Sequence, residues 1–315
     1  MISRAYINNM ASIHPDGLDA EQAYMKACEP DYKEYIQNPT LRRRMSRIVK
    51  MGVACGLECI GKTPKEDIHA IITATGLGCL ADTEKFMNNL LDNSEQLLNP
   101  TPFIQSTFNT VGAQIALICQ NQAYNVTYVH RGFSFESALL DGLLRLTEGD
   151  QNVLVGAFDE ITSTSYTIQQ RMGLLRNAYA GEGAQFFLLS KDQNEQTLAQ
   201  ISVPRWVPRR DGQVHKQIED YLKQNEVSFQ DIDLLVCGKN GDPTQDAFYS
   251  AIEQEWFPHA IHTTFKDRCG EYQTASAFAV WETARKLKEN KNIRHALIYN
   301  HYYDTGHSLL LISQP

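Results

Sequence analysis

Residues 125–160 constrain the fold of this chain more than any other stretch. Residues 125–131, Asn-Val-Thr-Tyr-Val-His-Arg, alternate and are β-branched or aromatic enough to predict a strand. Gly132 ends it. From Ser134 onward, apolar residues at 135, 138, 139, 143, 144 and 146 share one helical face. After the turn Glu148-Gly149-Asp150 comes Val153-Leu154-Val155-Gly156-Ala157, continuous and apolar like a central strand buried on both sides. Strand, sharp bend, helix, strand lifts one residue onto a helix N-terminus, where backbone N–H groups and the dipole favour negative charge. Nucleophile elbows use that place to lower a thiol's pKa or to expose a hydroxyl. Here the residue at the bend is Gly132, which has no side chain to react.

At 315 residues the chain exceeds the usual single-domain size, which implies two domains or one fold with an internal duplication. No apolar run reaches membrane-spanning length, and Met1-Ile2-Ser3-Arg4-Ala5 lacks the hydrophobic region of a signal peptide. A soluble, cytoplasmic protein without membrane partners is expected. The net charge of −8 argues against a nucleic-acid partner. Seven cysteines occur singly, which favours reduced, mostly buried thiols over a disulfide framework. Cys55 and Cys59 suit a helical core, and His259, His262 and Cys269 lack metal-ligand spacing, so no metal or cofactor is expected.

In chain order, residues 4–8 predict an opening strand, 20–36 a polar helix, and 41–60 a basic loop that becomes an amphipathic helix. Arg42, Arg43 and Arg44 are open to two readings, a solvated helix start or a docking patch for an acidic partner. Residues 68–76 predict a strand followed by a helix through Leu91, residues 100–102 a loop, and 110–119 a helix. Further on come a strand over 198–207, a helix over 214–225, a buried strand over 233–238 and a helix over 246–254. The pattern of strand 153–160, Gly181-Glu182-Gly183 and strand 185–190 repeats in outline as strand 296–300, Asp304-Thr305-Gly306 and strand 308–312. Matching endings imply a duplicated α/β fold with halves 1–192 and 193–315 and a mostly parallel sheet. The carboxyl ends of such strands carry the site, which gathers Arg131, Gly132, Cys237 and the loop after Asn300 on one side.

These segments resemble the ketosynthase-type condensing enzymes of the thiolase superfamily over essentially the whole chain. Residues 148–157 lie on the family's G-D-x-x-x-V-x-x-G segment and bring Gly132 onto the nucleophilic cysteine. Residues 176–184, Arg-Asn-Ala-Tyr-Ala-Gly-Glu-Gly-Ala, match R-D-G-F-x-x-G-E-G-A. Residues 102–109 with Gly112 resemble the stretch ahead of the nucleophile strand, and 300–308 keep the outline of the C-terminal loop N-S-F-G-F-G-G-T-N. The resemblance implies a five-layered α/β/α/β/α fold. It also implies a Cys-His-His set, in which the cysteine carries the acyl chain and the histidines stabilise the enolate. This chain departs from that set at every position. Gly132 replaces the cysteine, Cys237 falls on the first histidine, and Glu271 takes the second in a segment that keeps Lys266.

A condensing-enzyme scaffold without its reactive residues resembles the chain-length factor of type II polyketide systems, and in its shortness the partners found in aryl polyene or flexirubin-type clusters. The implied partners are an active ketosynthase, as a heterodimer, and an acyl carrier protein, with a homodimer possible for the chain alone. The implied pairing element is the strand 125–131. Asp304, at the position of the family's phenylalanine gate, joins Arg131 and Ser134 as expected pocket residues. An enzyme working through Cys237, Lys266 and Glu271 is the alternative. Three local readings complete the picture: Ser134 as the helix N-cap, His130 as a hydrogen-bonded histidine entering the core, and Lys266 in an ion pair with Glu271 or Glu182. A cysteine placed at 132 is expected to have a depressed pKa.

Overall fold

The computed structural model describes residues 4–17, 23–207, 214–303 and 306–315. The first half runs β1 (Arg4–Ile13), α1 (Pro39–Arg44), α2 (Arg47–Ile60), β2 (Ala70–Ala74), α3 (Leu80–Asp92), α4 (Pro100–Gln105) and α5 (Thr110–Cys119). It continues with β3 (Tyr124–Tyr128), α6 (Ser134–Glu148), β4 (Asn152–Asp159), α7 (Ser163–Arg171) and β5 (Gly183–Ser190). The second half contains β6 (Ala199–Ser202), β7 (Arg205–Val207), α8 (Val214–Gln224), β8 (Leu234–Cys237), α9 (Pro243–Glu255) and β9 (Ile261–Thr264). It ends with α10 (Lys266–Cys269), α11 (Ala275–Glu289), β10 (His295–His301) and β11 (His307–Ser313).

Hydrogen bonding orders the strands β3-β2-β4-β5-β1-β6-β11-β10-β8-β9, with β7 added at β11. The order is palindromic in type. On each side of the β1–β6 junction lie two antiparallel strands and then three parallel ones. Two half-sheets of one topology are thus joined edge to edge, which is the duplication the matching endings imply. The sheet is more mixed than expected, because β5, β1, β6 and β11 all run antiparallel to their neighbours.

Three apolar clusters fix the layers. Phe135, Leu139 and Leu143 of α6 and Phe278 and Val280 of α11 share one core with Val153 and Val155 of one half-sheet and Val236 and Ile298 of the other. Those two helices are therefore the middle layer. On the outer faces, α2 and α5 cover the first half-sheet through Ile48, Val53 and Ile115, and α8 and α9 cover the second through Ile218, Leu222 and Ile252. The result is α/β/α/β/α. Strands β2, β4 and β8 are buried on both faces, which is why their sequences run apolar without alternation.

Several expectations are corrected. Residues 23–36 form no helix, because their backbone bonds to distant partners instead: Met25 N–H donates to the Ala180 carbonyl and Cys28 N–H to that of His14. Residues 20–22 lie outside the described residues. The segment 100–102 starts a helix rather than a loop, since Pro100 suits the first turn and Asn99 caps it. The strand expected over 198–207 is two strands, β6 and β7, with Pro204 between them. Six of the seven cysteines are buried and Cys28 is exposed.

Where β4 ends, Glu160 is buried within reach of Arg47, Glu182 and Asp82. Burial pushes its carboxyl up to about 7, against the pull of the Ala81 N–H and of Arg47. Because the folded pKa lies above the unfolded one, the native state binds this proton more tightly. Its cost is absent below the unfolded value near 4.5 and complete above about 7. Glu160→Gln should therefore raise stability at pH 8 by about 2–3 kcal/mol, with the gain shrinking toward pH 5. Urea unfolding of both chains at the two pH values checks this, and a gain that does not depend on pH would refute it.

Candidate functional site

The site is built where the carboxyl end of the first half-sheet faces that of the second. Residues 131–133 form a single 3₁₀ turn between β3 and α6. The strained residue there is Arg131, with φ of +51°, and Gly132 keeps a negative φ. Gly132 is therefore required for space rather than for backbone freedom. A Cβ built on it would lie 2.1 Å from Cγ and 2.3 Å from Cδ1 of Tyr302, the residue that follows β10. The ring of Tyr302 fills the bend. An introduced thiol at 132 would meet this ring before any reagent, which revises the expectation of a freely reactive Gly132→Cys.

Ser134 is helical, and its Oγ donates to the Arg131 carbonyl and accepts from the His130 N–H. It fastens the bend from inside α6 instead of capping the helix from outside. His130 does not enter the core: it is exposed, and its Nδ1 shares a hydrogen bond of 3.1 Å with Ser137 Oγ. Arg131 is exposed and Ser134 fully buried. Asp304 lies outside the described residues.

Lys266 and Glu271 do meet, both with buried side chains and with Nζ 2.8 Å from Oε2. Glu182 takes a different partner, Arg47, whose two terminal nitrogens reach its two carboxylate oxygens. Asn240 Nδ2 also donates to Glu271 Oε2 at 2.8 Å, and Lys266 Nζ donates to the His301 carbonyl at 3.1 Å. The ammonium is thus committed as a structural cross-link between α10 and the end of β10. The segment holding Glu271 is pinned in turn by close backbone crossing. A Cβ on Gly181 would fall 1.8 Å from the Cys269 carbonyl oxygen, and Gly270 needs its φ of +77°.

Cys237 does not join this group. Its side chain packs in the outer core with Tyr249 and Tyr299. Burial, followed by the nearby Glu253, pushes its thiol well above the usual range, so it stays protonated. The next residue is the one that faces inward: a Cβ on Gly238 would lie 2.4 Å from Asn300 Oδ1. Two histidines absent from the sequence reasoning, His301 and His307, pair across β10 and β11. Their rings are 4.6 Å apart, beside Tyr299 and Phe248 on the side of α9. Tyr302 also went unforeseen. Its signal was the pair Tyr302-Tyr303 in a loop that the family builds from glycines. Burial raises the Tyr302 phenol, with Tyr303 and Glu271 adding to the shift, so it is no phenolate nucleophile.

Fold and site together define a thiolase-type condensing-enzyme scaffold whose bend holds a tyrosine ring above a glycine. The family model for the β-ketoacyl synthase N-terminal domain matches residues 20–216, and the chain belongs to the β-ketoacyl synthase family. Solved structures similar over their whole length include a type II polyketide synthase acyl carrier protein in complex with its ketosynthase bound to the hexaketide. It has a TM-score of 0.81 and 14% identity, with 100% of both chains covered. The ishigamide ketosynthase/chain length factor gives 0.81 and 15%, again over 100% of both chains. A β-ketoacyl synthase from Burkholderia phymatum gives 0.77 and 12%, with 100% of both chains covered. No curated protein matches the chain.

The buried ion pair yields a stability test. Lys266→Met strands a buried carboxylate and should cost about 3–5 kcal/mol, whereas Lys266→Met with Glu271→Leu should recover most of that loss. Urea midpoints decide, and equal losses in the single and double variants would show that the pair is not coupled.

Proposed function

We propose that this chain is a non-catalytic, chain-length-factor-like partner of an active β-ketoacyl synthase in polyketide or fatty-acid-type biosynthesis, of the kind found in aryl polyene pigment systems. The observation that carries the reading is the bend itself. Position 132 offers no nucleophile, and an aromatic ring stands where a thiol and its acyl chain would have to be. The degenerate trio of Gly132, Cys237 and Glu271 supports it further. Glu271 is an acceptor locked to Lys266, and Cys237 is a protonated thiol facing the outer core. Neither supplies the hydrogen bonds that an enolate oxygen needs. The same facts disfavour an enzyme working through Cys237, Lys266 and Glu271, since the three do not converge. Solved ketosynthase/chain length factor structures of similar fold, and one with an acyl carrier protein, agree with the two kinds of partner.

Pairing would use β3. Among the described residues this strand bonds only to β2, which leaves its other edge without a strand partner there. Tyr124 and Val129 beside it are exposed, as are Phe103, Ile104 and Phe108 in the segments leading to it. An open, partly apolar edge is a liability that a second chain removes by edge-to-edge pairing. The chain alone should show a homodimer, and a heterodimer when mixed with its ketosynthase. Light scattering at micromolar concentration that finds only monomers in that mixture would overturn the pairing.

Chemistry is tested by mass. The purified chain, incubated with an acyl-loaded carrier protein, should keep its intact mass. A stoichiometric acyl adduct on any residue would refute the non-catalytic role.

A further inference from the structure

The non-catalytic reading leaves open why Tyr302 stands in the bend. We propose that Tyr302 is a plug that keeps acyl groups out of this chain by bulk, so that position 132 is glycine because the ring occupies its side-chain space. The proposal rests on the non-catalytic reading and deepens it, assigning the exclusion of acyl groups to the bulk of one side chain.

Three observations carry it. The contact with Gly132 is made by Cγ, Cδ1 and Cβ of the tyrosine, at 2.1, 2.3 and 2.5 Å from a built Cβ, so the stem and the ring base both intrude. These are the least movable atoms of that side chain. The residue that follows is strained. Tyr303 has a φ of +44°, which L residues rarely adopt, and Tyr302 N–H reaches the Gly306 carbonyl across the loop at 3.4 Å. The two tyrosine rings then brace each other edge to face, with centroids 4.7 Å apart. Finally, the tip of the ring is held. Gln273 lies within hydrogen-bonding reach of its hydroxyl and itself packs over Gly76, where a Cβ would be 2.2 Å from the Gln273 Cβ. A swing of the ring away from 132 would break that hydrogen bond.

The plug predicts a size exchange between 132 and 302. Gly132→Ala should lower the urea midpoint, and adding Tyr302→Ala should restore it to that of Tyr302→Ala alone. Tyr302→Phe, which keeps the ring and loses only the hydroxyl, should not rescue. If Gly132→Ala fails to fold, recovery by Tyr302→Ala and not by Tyr302→Phe gives the same answer. A chemical readout follows: Gly132→Cys with Tyr302→Ala should react with iodoacetamide roughly tenfold faster or more than Gly132→Cys alone, because the thiol at the start of α6 becomes accessible. Additive midpoints, or equal alkylation rates, overturn the plug. The two readings fail separately, since an acyl adduct on the native chain overturns the non-catalytic role whatever the midpoints show.

Discussion

One buried carboxylate ties the two halves together where their strands end. Asp159, fully buried at the end of β4, accepts hydrogen bonds from Thr75 Oγ1 and from the N–H groups of Gly76 and Leu77 through one oxygen. Its other oxygen accepts from the N–H and Oγ1 of Thr274, the residue before α11. Burial still raises its pKa despite these donors. A charge-bearing group is kept in the interior because it ties a loop of the first half to the middle helix of the second. The bend draws on both halves so tied: Gly132 comes from one, and Tyr302, Glu271 and Lys266 come from the other.

A second tie works at the same seam. Ser308 Oγ on β11 donates to Glu136 in the first turn of α6, another buried acid whose pKa burial raises. The helix that follows the bend is thus anchored to the strand that follows the tyrosine loop. These ties frame the region that holds Gly132 and the salt-bridged Glu271, while Cys237 sits in the outer core. The frame is stabilised by polar ties in which Gly132 and Cys237 take no part.

How much of this the sequence disclosed follows from how local each determinant is. Helix α6 and strand β4 were legible because apolar periodicity is decided by neighbours a few residues apart, and the duplication was legible from paired endings. Residues 23–36 were misjudged because their hydrogen bonds go to His14 and Ala180, far away in sequence. An ion pair for Lys266 was open to two partners, Glu271 or Glu182, and the choice between them was not legible, since it depends on where Arg47 lands. Cys237 was placed on the right strand, but facing in or out is a register question that a one-residue step reverses. Tyr302 was invisible for the plainest reason: its neighbour at the bend lies 170 residues earlier in the chain.

The contact between Tyr302 and Gly132 also sets a direction for change. A chain that merely lacked a nucleophile could regain one by a single codon change at the bend. In this chain the vacated space has been taken over by a residue from the opposite half, so any side chain returned to 132 meets a steric penalty before it can do chemistry. Restoration needs two concerted replacements, each unfavourable or useless alone. The geometry links the two halves at this point: under the proposed non-catalytic reading, a side chain at 132 becomes accommodated only when the opposite half changes with it.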